Sequence, residues 1–347
     1  MNKQWKFFAL SALFALGFTA CNKDDDAGED PIPETGFQNT VLVFNEGSFQ
    51  AGNGSLTHYD YESGESSQAV YSSANGMPLG DIVYSGTYTN DALYIVVNNS
   101  GKVEKLNPET FESIAKVEGL TSPRFFLPVS ESKAYVSDLF GGMVSIINPT
   151  DMSLTGSIAI PGWTEQMLLV DNTLWITNPG GNQLYGIDIN TDAITDSITI
   201  EKDATSLVQD ANGNVWVLCI PDWKTPRDHE AALFKLDLNT NTASMRMDFS
   251  ASNSPSSLCI NQEGNNLYWL DNGVYEMSTS ASTLPNVSFI AAYGIPYGLA
   301  INPSNNQIYV TDGGDFSSNS EVHRFSENGN LLHTFDAGIA PGNIIFK

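Results

Sequence analysis

A short apolar strand that ends in a polar turn recurs seven times along this chain, and this repeat constrains the fold more than any other feature. The copies begin at positions 41, 93, 134, 174, 215, 267 and 308, at intervals of 52, 41, 40, 41, 52 and 41 residues. A period of about 40 residues indicates a repeated unit that stacks into an array or closes into a ring.

Each unit contains four short strands. An alternating strand follows each copy, as at 102–106, 144–148, 183–188 and 233–237, and it ends in turn sequences such as Asn-Pro-Glu-Thr at 107–110. A further strand comes next, and a small-residue strand, often opened by proline, leads into the following unit. Such turns join antiparallel strands without a helix, and no segment has a convincing helical period. The sequence therefore predicts an all-β, seven-bladed β-propeller over residues 41–347, with four antiparallel strands per blade.

The phase of the repeat predicts how the ring closes. The chain enters the domain in the second strand of a unit at Val41, and it ends with a spare first strand at 341–347. We expect this C-terminal strand to join the N-terminal blade and close the ring. A solenoid is the alternative, but it needs end caps and leaves the spare strand unexplained.

The N-terminus has the organisation of an exported lipoprotein. Lys3 and Lys6 precede an apolar run at 7–18, which predicts a signal peptide over residues 1–20. Cys21 follows where bacterial lipoproteins carry their acylated cysteine, although Phe18 replaces the usual leucine. Residues 21–40 are rich in Asp, Pro and Gly and predict a disordered tether.

The acidic run Asp24-Asp25-Asp26 after the cysteine resembles the surface-export signal of Bacteroidetes lipoproteins. The resemblance implies an outer-membrane, lipid-anchored, cell-surface protein that contacts the membrane through its lipid alone. A periplasm-facing anchor is the alternative, and the run is a solvated charged linker whether or not the resemblance holds.

Charge and cysteine content exclude some classes of partner and chemistry. Without Lys3 and Lys6, 13 basic residues face 40 acidic ones, for a net charge of −27. Nucleic acid and anionic membrane surfaces are therefore poor partners. Cys219 and Cys259 lie in apolar runs of different repeats, which favours two buried free thiols over a disulfide.

Function is expected on one face of the ring, where the loops after the second strands meet the segments that lead into the first strands. Two of these loops are long, at 45–55 and 219–231. The second carries Trp223, Arg227 and His229; tryptophan and arginine are frequent in binding hot spots, although a tolerated insertion is also compatible.

Aromatic side chains beside carboxylates and amides on this face suit a large, flat ligand with apolar faces and hydrogen-bonding edges. The predicted ligand-binding residues are Glu46, Phe49, Arg124, Phe125, Phe140, Trp163, Asp222, Trp223, Arg227, Tyr297, Asp315 and Phe316. Asp138, Trp175, Asp271 and Asp312 are predicted to lie beside them on the same face.

No catalytic residue, metal site or cofactor is predicted. The sequence contains no G-x-S-x-G, H-E-x-x-H, P-loop or G-x-G-x-x-G motif. His58, His229, His323 and His333 are placed in different repeats, although a triad assembled across blades stays open. The Asp312 to Asp315 turn could hold a hard cation, but Gly and Asp are also what a tight turn requires, and we favour the turn.

The seven Tyr-Val-type strands with their Asn-Pro-Thr turns resemble the YncE-like, surface-layer-type propellers of bacteria over residues 41–347. The sequences Phe-Asn-Glu-Gly-Ser-Phe at 44–49, Asn-Gly-Ser-Leu-Thr at 53–57 and the strand from Leu93 are similar to Bacteroidetes propeller lipoproteins of the BtuG type. That resemblance implies capture of cobalamin or a related corrinoid at the cell surface. It also implies delivery of the ligand to a TonB-dependent outer-membrane transporter, over which the propeller would lie as a mobile lid.

Two other functions are compatible with the sequence. One is a scaffold whose loop face binds a protein or a glycan. The other is a metal-dependent, lactonase-like hydrolase, with Asn302, Asp312 and Glu46 as candidate ligands around the central channel.

Overall fold

A computed structural model describes residues 40–222, 224 and 226–347, and these residues form the predicted ring of seven four-stranded antiparallel sheets. The predicted signal peptide at 1–20, the lipidation site Cys21 and residues 21–39 of the predicted tether lie outside the described residues. In the part of the chain that is described, no helix is long and apolar enough to cross a membrane.

Six blades are continuous in sequence, and each begins with its innermost strand. The first blade contains the three N-terminal strands β1 (Thr40–Asn45), β2 (Ser55–Asp60) and β3 (Glu65–Ser67). The second to fourth blades contain β4 (Val83–Tyr88), β5 (Leu93–Val97), β6 (Lys102–Leu106) and β7 (Ser113–Glu118); β8 (Pro123–Ser130), β9 (Lys133–Asp138), β10 (Met143–Asn148) and β11 (Ser153–Ala159); and β12 (Met167–Val170), β13 (Thr173–Ile176), β14 (Gln183–Asp188) and β15 (Ala193–Thr199). The fifth to seventh contain β16 (Ala204–Gln209), β17 (Val215–Cys219), β18 (Ala232–Asp237) and β19 (Thr242–Asp248); β20 (Ser256–Ile260), β21 (Asn266–Leu270), β22 (Gly273–Ser278) and β23 (Ile290–Ala291); and β24 (Pro296–Ile301), β25 (Ile308–Asp312), β26 (Asn319–Phe325) and β27 (Leu331–Ile339).

The C-terminal strand β28 (Pro341–Phe346) closes the ring, as the repeat phase predicted. It pairs antiparallel with β1, from Val41 opposite Phe346 to Asn45 opposite Pro341, and so becomes the innermost strand of the first blade. Ile344 packs against the apolar cluster shared with the seventh blade. Both ends of the chain therefore contribute to one sheet.

The core lies between the blades, because each sheet is covered on both faces by its neighbours. The second strands are accordingly rich in buried apolar residues, and all five residues of β5 are buried. Near the axis the inner strands approach so closely that a Cβ on Gly298 would lie 1.7 Å from the carbonyl oxygen of Gly342. Glycine at this point lets β24 and β28 meet.

Two sequence-based expectations about the blades are wrong. A short helix, α1 (Val70–Asn75), lies between β3 and β4 and accounts for part of the first 52-residue interval. Six residues are too few for a helical period to show, and burial of Tyr71 in the core shared with the second blade holds the turn in place. His323 and His333 also lie in one blade, on the neighbouring strands β26 and β27.

Cys219 and Cys259 are free thiols, as predicted. Cys219 is buried, and Cys259 is half-buried near the axis. Burial raises the pKa of the Cys259 thiol to about 12. This thiol is therefore protonated at neutral pH and is a poor nucleophile.

Candidate functional site

The seven inner strands surround a cavity of about 560 Å³ that opens on the loop face of the ring. We call this cavity the axial funnel, and its volume lies within the usual range of small-molecule sites. All seven inner strands or the residues just before them contribute to its lining: Tyr84, Arg124, Phe125, Glu165, Gln166, Thr205, Ser206, Ser256, Ser257, Leu258, Cys259, Tyr297, Leu299 and Asn343. Leu139, Trp163, Pro179, Asp203, Ile220 and Pro221 add a margin from the loops.

Backbone bulges aim many of these side chains into the funnel. In six of the seven inner strands, all of which are described, the pairing with the second strand shifts register at the level of the funnel. The inner-strand residues at these shifts have no pairing partner on the second strand. They include Tyr84, Arg124, Phe125, Thr205, Ser257, Leu258, Tyr297 and Gly342. A β-bulge re-aims side chains and is frequent beside functional sites. The lining of the funnel therefore depends on a bulge that recurs in the inner strands of six blades.

One wall of the funnel carries a buried ion pair. Arg124 Nε donates to both carboxylate oxygens of Glu165 at 2.8 and 2.9 Å, and Nη2 lies 2.8 Å from Oε1. Tyr84 donates its hydroxyl to the same carboxylate at 2.8 Å, and its ring centroid lies 3.4 Å from the guanidinium carbon. Burial, followed by the adjacent Glu165 charge, raises the pKa of Tyr84 well above its usual value. The hydrogen bonds of this wall therefore fix the Arg124 and Glu165 side chains in place, and their charges cancel.

A second carboxyl group lies beside the funnel, in the long loop after β1. Tyr297 donates its hydroxyl to Glu46 Oε2 at 3.0 Å. Burial raises the pKa of Glu46 above its ordinary value of 4.5, although the bond from Tyr297 and the charge of Arg124 act in the opposite direction. Glu46 is therefore a carboxyl group beside the funnel that holds its proton more tightly than a solvated glutamate does.

Replacing Glu46 by Gln should change the pH dependence of stability. Because the native state holds the Glu46 proton more tightly than the unfolded chain does, the wild type loses stability as pH rises from about 4.5 through the raised native pKa. Glu46→Gln removes this loss, so the thermal midpoint of the variant relative to wild type should rise over the same pH range. Thermal unfolding between pH 4 and 8 measures it, with the exposed Glu131→Gln as control. A pH-independent difference would contradict the assignment.

Three exposed aromatic residues border the funnel and form what we call the aromatic rim: Phe140, Trp163 and Phe316. Phe49, also predicted as a ligand contact, is 69% exposed in the loop after β1. Phe140 and Trp163 are 61% and 42% exposed and contact each other edge to face at 5.5 Å. Phe316, 43% exposed, makes a similar contact with Tyr297 at 5.1 Å. Large apolar side chains exposed around a cavity mark a binding surface.

The long loop at 220–230 is held by its own polar residues. Asp222 is buried and accepts hydrogen bonds from the backbone N–H groups of Lys224 and Asp228. Arg227 donates to the carbonyl oxygens of Ala251 and Asn253, at 2.9 Å each. These two predicted ligand-binding residues therefore fix the loop, while Trp223 lies outside the described residues.

The aspartates of the loop face hold turns. Asp138 accepts from the backbone N–H groups of Thr121 and Ser122, and Asp312 from those of Ile295 and Gly314. Asp271 accepts from Ser254 in the same way. These bonds tie the end of a second strand to the segment that leads into the first strand of the same blade.

Asp315 accepts hydrogen bonds from the backbone N–H groups of Ser317 and Ser318, which hold its pKa well below the usual range. The carboxylates of Asp312 and Asp315 thus hold the backbone of a tight turn, as the favoured interpretation of residues 312–315 requires. Among the described residues, no group of three or more His, Cys, Asp or Glu side chains could hold a metal ion.

Two placements from the sequence are wrong. Trp175 is only 3% exposed and belongs to the core between the fourth and fifth blades, because its strand is covered on both faces. Asn302 follows the far end of β24, whose other end carries Tyr297 in the funnel, and its side chain accepts from Ser304. The three residues of the hydrolase hypothesis therefore do not converge.

A family model described as a domain of unknown function, DUF5074, matches residues 39–338. The chain belongs to the DUF5074 family. No curated protein matches it.

Solved structures similar to this DUF5074 propeller share its fold at low sequence identity. A quinonprotein alcohol dehydrogenase-like protein of Bacteroides thetaiotaomicron is 18% identical, with a TM-score of 0.71 over 90% of this chain and 79% of that one. A functionally unknown protein of Desulfotomaculum acetoxidans is 13% identical, with a TM-score of 0.65 over 88% and 98%. AztD of Citrobacter koseri is 10% identical, with a TM-score of 0.57 over 88% and 97%. At these identities the similarity concerns the fold alone.

The funnel of this DUF5074 chain combines residues that the sequence identified with others that it did not. Arg124, Phe125, Trp163 and Tyr297 were predicted and line the cavity. Tyr84, Glu165, Thr205, Ser256 and Ser257 line it as well but were missed. The proline or small residues that open the inner strands were their only sequence signal.

Proposed function

We propose that this protein is a non-enzymatic receptor that captures a corrinoid on its loop face and delivers it to a TonB-dependent outer-membrane transporter. The axial funnel with its aromatic rim carries this proposal. A corrinoid has a broad apolar macrocycle edged by amides, so its face matches the exposed rings of Phe140 and Trp163 and its edge matches a polar cavity.

The volume of the funnel sets how such a ligand would bind. A cavity of about 560 Å³ accommodates a group of drug size, and a macrocycle with its side chains is larger. Part of the ligand would therefore enter the funnel while the macrocycle rests on the aromatic rim. The opposite face of the ligand would remain open, which is the arrangement that a hand-over to a second protein requires.

The proposed location of the protein supports the same role. A lipid at Cys21 and a tether of about 20 residues would hold the propeller at the outer-membrane surface, within reach of a neighbouring transporter. The rim is exposed and apolar, which also suits intermittent contact with a transporter surface. Binding of a protein or glycan on the rim, without a small ligand, is the competing outcome of the experiment below.

Titration of residues 37–347 with cyanocobalamin tests the proposal by calorimetry and by the visible absorption of the ligand. We expect one-to-one binding, and we expect the Trp163→Ala variant to lose about 2 kcal/mol, or about 30-fold in affinity, as hot-spot aromatics do. Leu154→Ala is the matched control, because Leu154 is 57% exposed on the outer strand β11.

Absence of heat and of a spectral change up to about 1 mM cyanocobalamin would discard the corrinoid. Binding that survives Trp163→Ala and Phe140→Ala unchanged would remove the rim from the site. Capture of an outer-membrane protein without any corrinoid affinity would favour the scaffold function instead.

A further inference from the structure

The wall of the axial funnel that belongs to the fifth and sixth blades is made of small hydroxyl residues. Thr205 on β16 and Ser256 and Ser257 on β20 line the cavity and are half-buried. Within the described residues, none of these three hydroxyl groups has a hydrogen-bond partner, whereas the neighbouring Ser206 Oγ accepts from Leu258 N at 3.3 Å. Three hydroxyl groups in the funnel are therefore available to a ligand.

The backbone directs two of these residues to the funnel. Thr205 lies where β16 shifts register against β17, and Ser257 lies in the corresponding shift between β20 and β21. Ser257 also has a φ of 58°, in the left-handed region that serine rarely adopts. Residues held in sparsely populated conformations cluster at binding and active sites. Ser257 therefore carries a backbone cost at the position that faces the funnel.

The carboxylates that line the funnel already have polar neighbours. Glu165 is engaged by Arg124 and Tyr84. Asp203 accepts from Gly180 N at 2.7 Å, and its second oxygen lies 3.2 Å from His229 Nε2. Among the described lining residues, no unpaired cation would receive an anionic ligand, and a cationic ligand would compete with these neighbours for the carboxylate oxygens.

We propose that the hydroxyl wall of Thr205, Ser256 and Ser257 binds an uncharged group that both donates and accepts hydrogen bonds, such as a primary amide or an alcohol. A hydroxyl group can do both, so it pairs with either atom of such a group, whereas a charged group would lose hydration without gaining a counter-charge. The inference rests on the proposed function only in taking the funnel as the ligand site, and it holds for any ligand with such a group.

Three probes of nearly equal shape separate the charge classes: benzamide is neutral, benzoate is an anion and benzamidinium is a cation. Ligand-observed NMR titration of the purified protein measures their affinities. Benzamide should bind at least tenfold more tightly than either charged probe. Thr205→Val and Ser257→Ala should each weaken benzamide about fivefold, the usual effect of one lost hydrogen bond, while the control Ser280→Ala, exposed beyond the far end of β22, should leave it unchanged.

Three results would overturn the inference: no benzamide binding below about 10 mM, a charged probe that binds as tightly as benzamide, or unchanged benzamide affinity in both Thr205→Val and Ser257→Ala. Titrating wild type with cyanocobalamin in parallel separates this inference from the corrinoid proposal. Hydroxyl-dependent benzamide binding without cyanocobalamin binding would support the neutral-group site and reject the corrinoid. Cyanocobalamin binding without the benzamide response would do the reverse.

Discussion

Ending the chain after Gly338 should unfold the whole propeller. The cut removes β28, and with it the partner of β1 along Val41–Asn45, a strand whose residues are all buried in the intact ring. β28 also packs against the inner strands β24 and β4 of the two neighbouring blades. Its removal therefore disrupts two blade interfaces. Domains of this kind are stable by only about 5–15 kcal/mol, and exposing one face of a blade core costs an amount of that order.

Circular dichroism during urea unfolding and size-exclusion chromatography measure this outcome. We expect no cooperative transition for the truncated chain, and we expect it to elute at a smaller volume than wild type because an unfolded chain has a larger hydrodynamic radius. A synthetic peptide of residues 339–347 should restore folding by strand addition, while a scrambled peptide should not. A truncated chain that unfolds cooperatively within about 2 kcal/mol of wild type would show that the ring does not depend on this closure.

The starts of the second strands were predicted to within one residue, because burial on both faces leaves a largely apolar run in the sequence. The copies at 93 and 308 begin β5 and β25 at those positions. The inner strands were less well defined: the proline-led segment at 78–84, which leads into the second blade, forms a strand only from Val83. Segments of small residues, Pro and Gly lead into these strands, and their composition does not separate a strand from the loop before it.

The sequence placed Arg124, Phe125, Trp163 and Tyr297 on the face into which the funnel opens, but it did not predict the funnel itself. A β-bulge needs one extra residue in a strand, and no residue type marks the position of that residue in an alternating pattern. The same limit applies to partners far apart in sequence, since Arg124 and Glu165 are in neighbouring blades and meet only when the ring forms. Arg124 was therefore predicted as a ligand contact, whereas its guanidinium is largely occupied by Glu165 and Tyr84.

Removing the guanidinium of Arg124 should destabilise the fold by about 3–5 kcal/mol, because Arg124→Met leaves the Glu165 carboxylate in a buried site without its counter-charge. Glu165 is 5% exposed, and the hydrogen bond from Tyr84 alone does not replace the bidentate contact. Glu165→Met should cost a similar amount, since it leaves the guanidinium unpaired above the Tyr84 ring.

The double variant Arg124→Met/Glu165→Met should recover most of this loss, because an apolar pair of similar volume needs no desolvation of charge. Urea unfolding of the four proteins gives the coupling free energy directly. Costs that simply add in the double variant would contradict the assignment, since they would mean that each side chain contributes through other contacts. A double variant that is stable but no longer binds the ligand of the funnel would separate folding from binding. The ion pair would then determine the shape and polarity of the cavity. The blade cores would determine whether the ring folds.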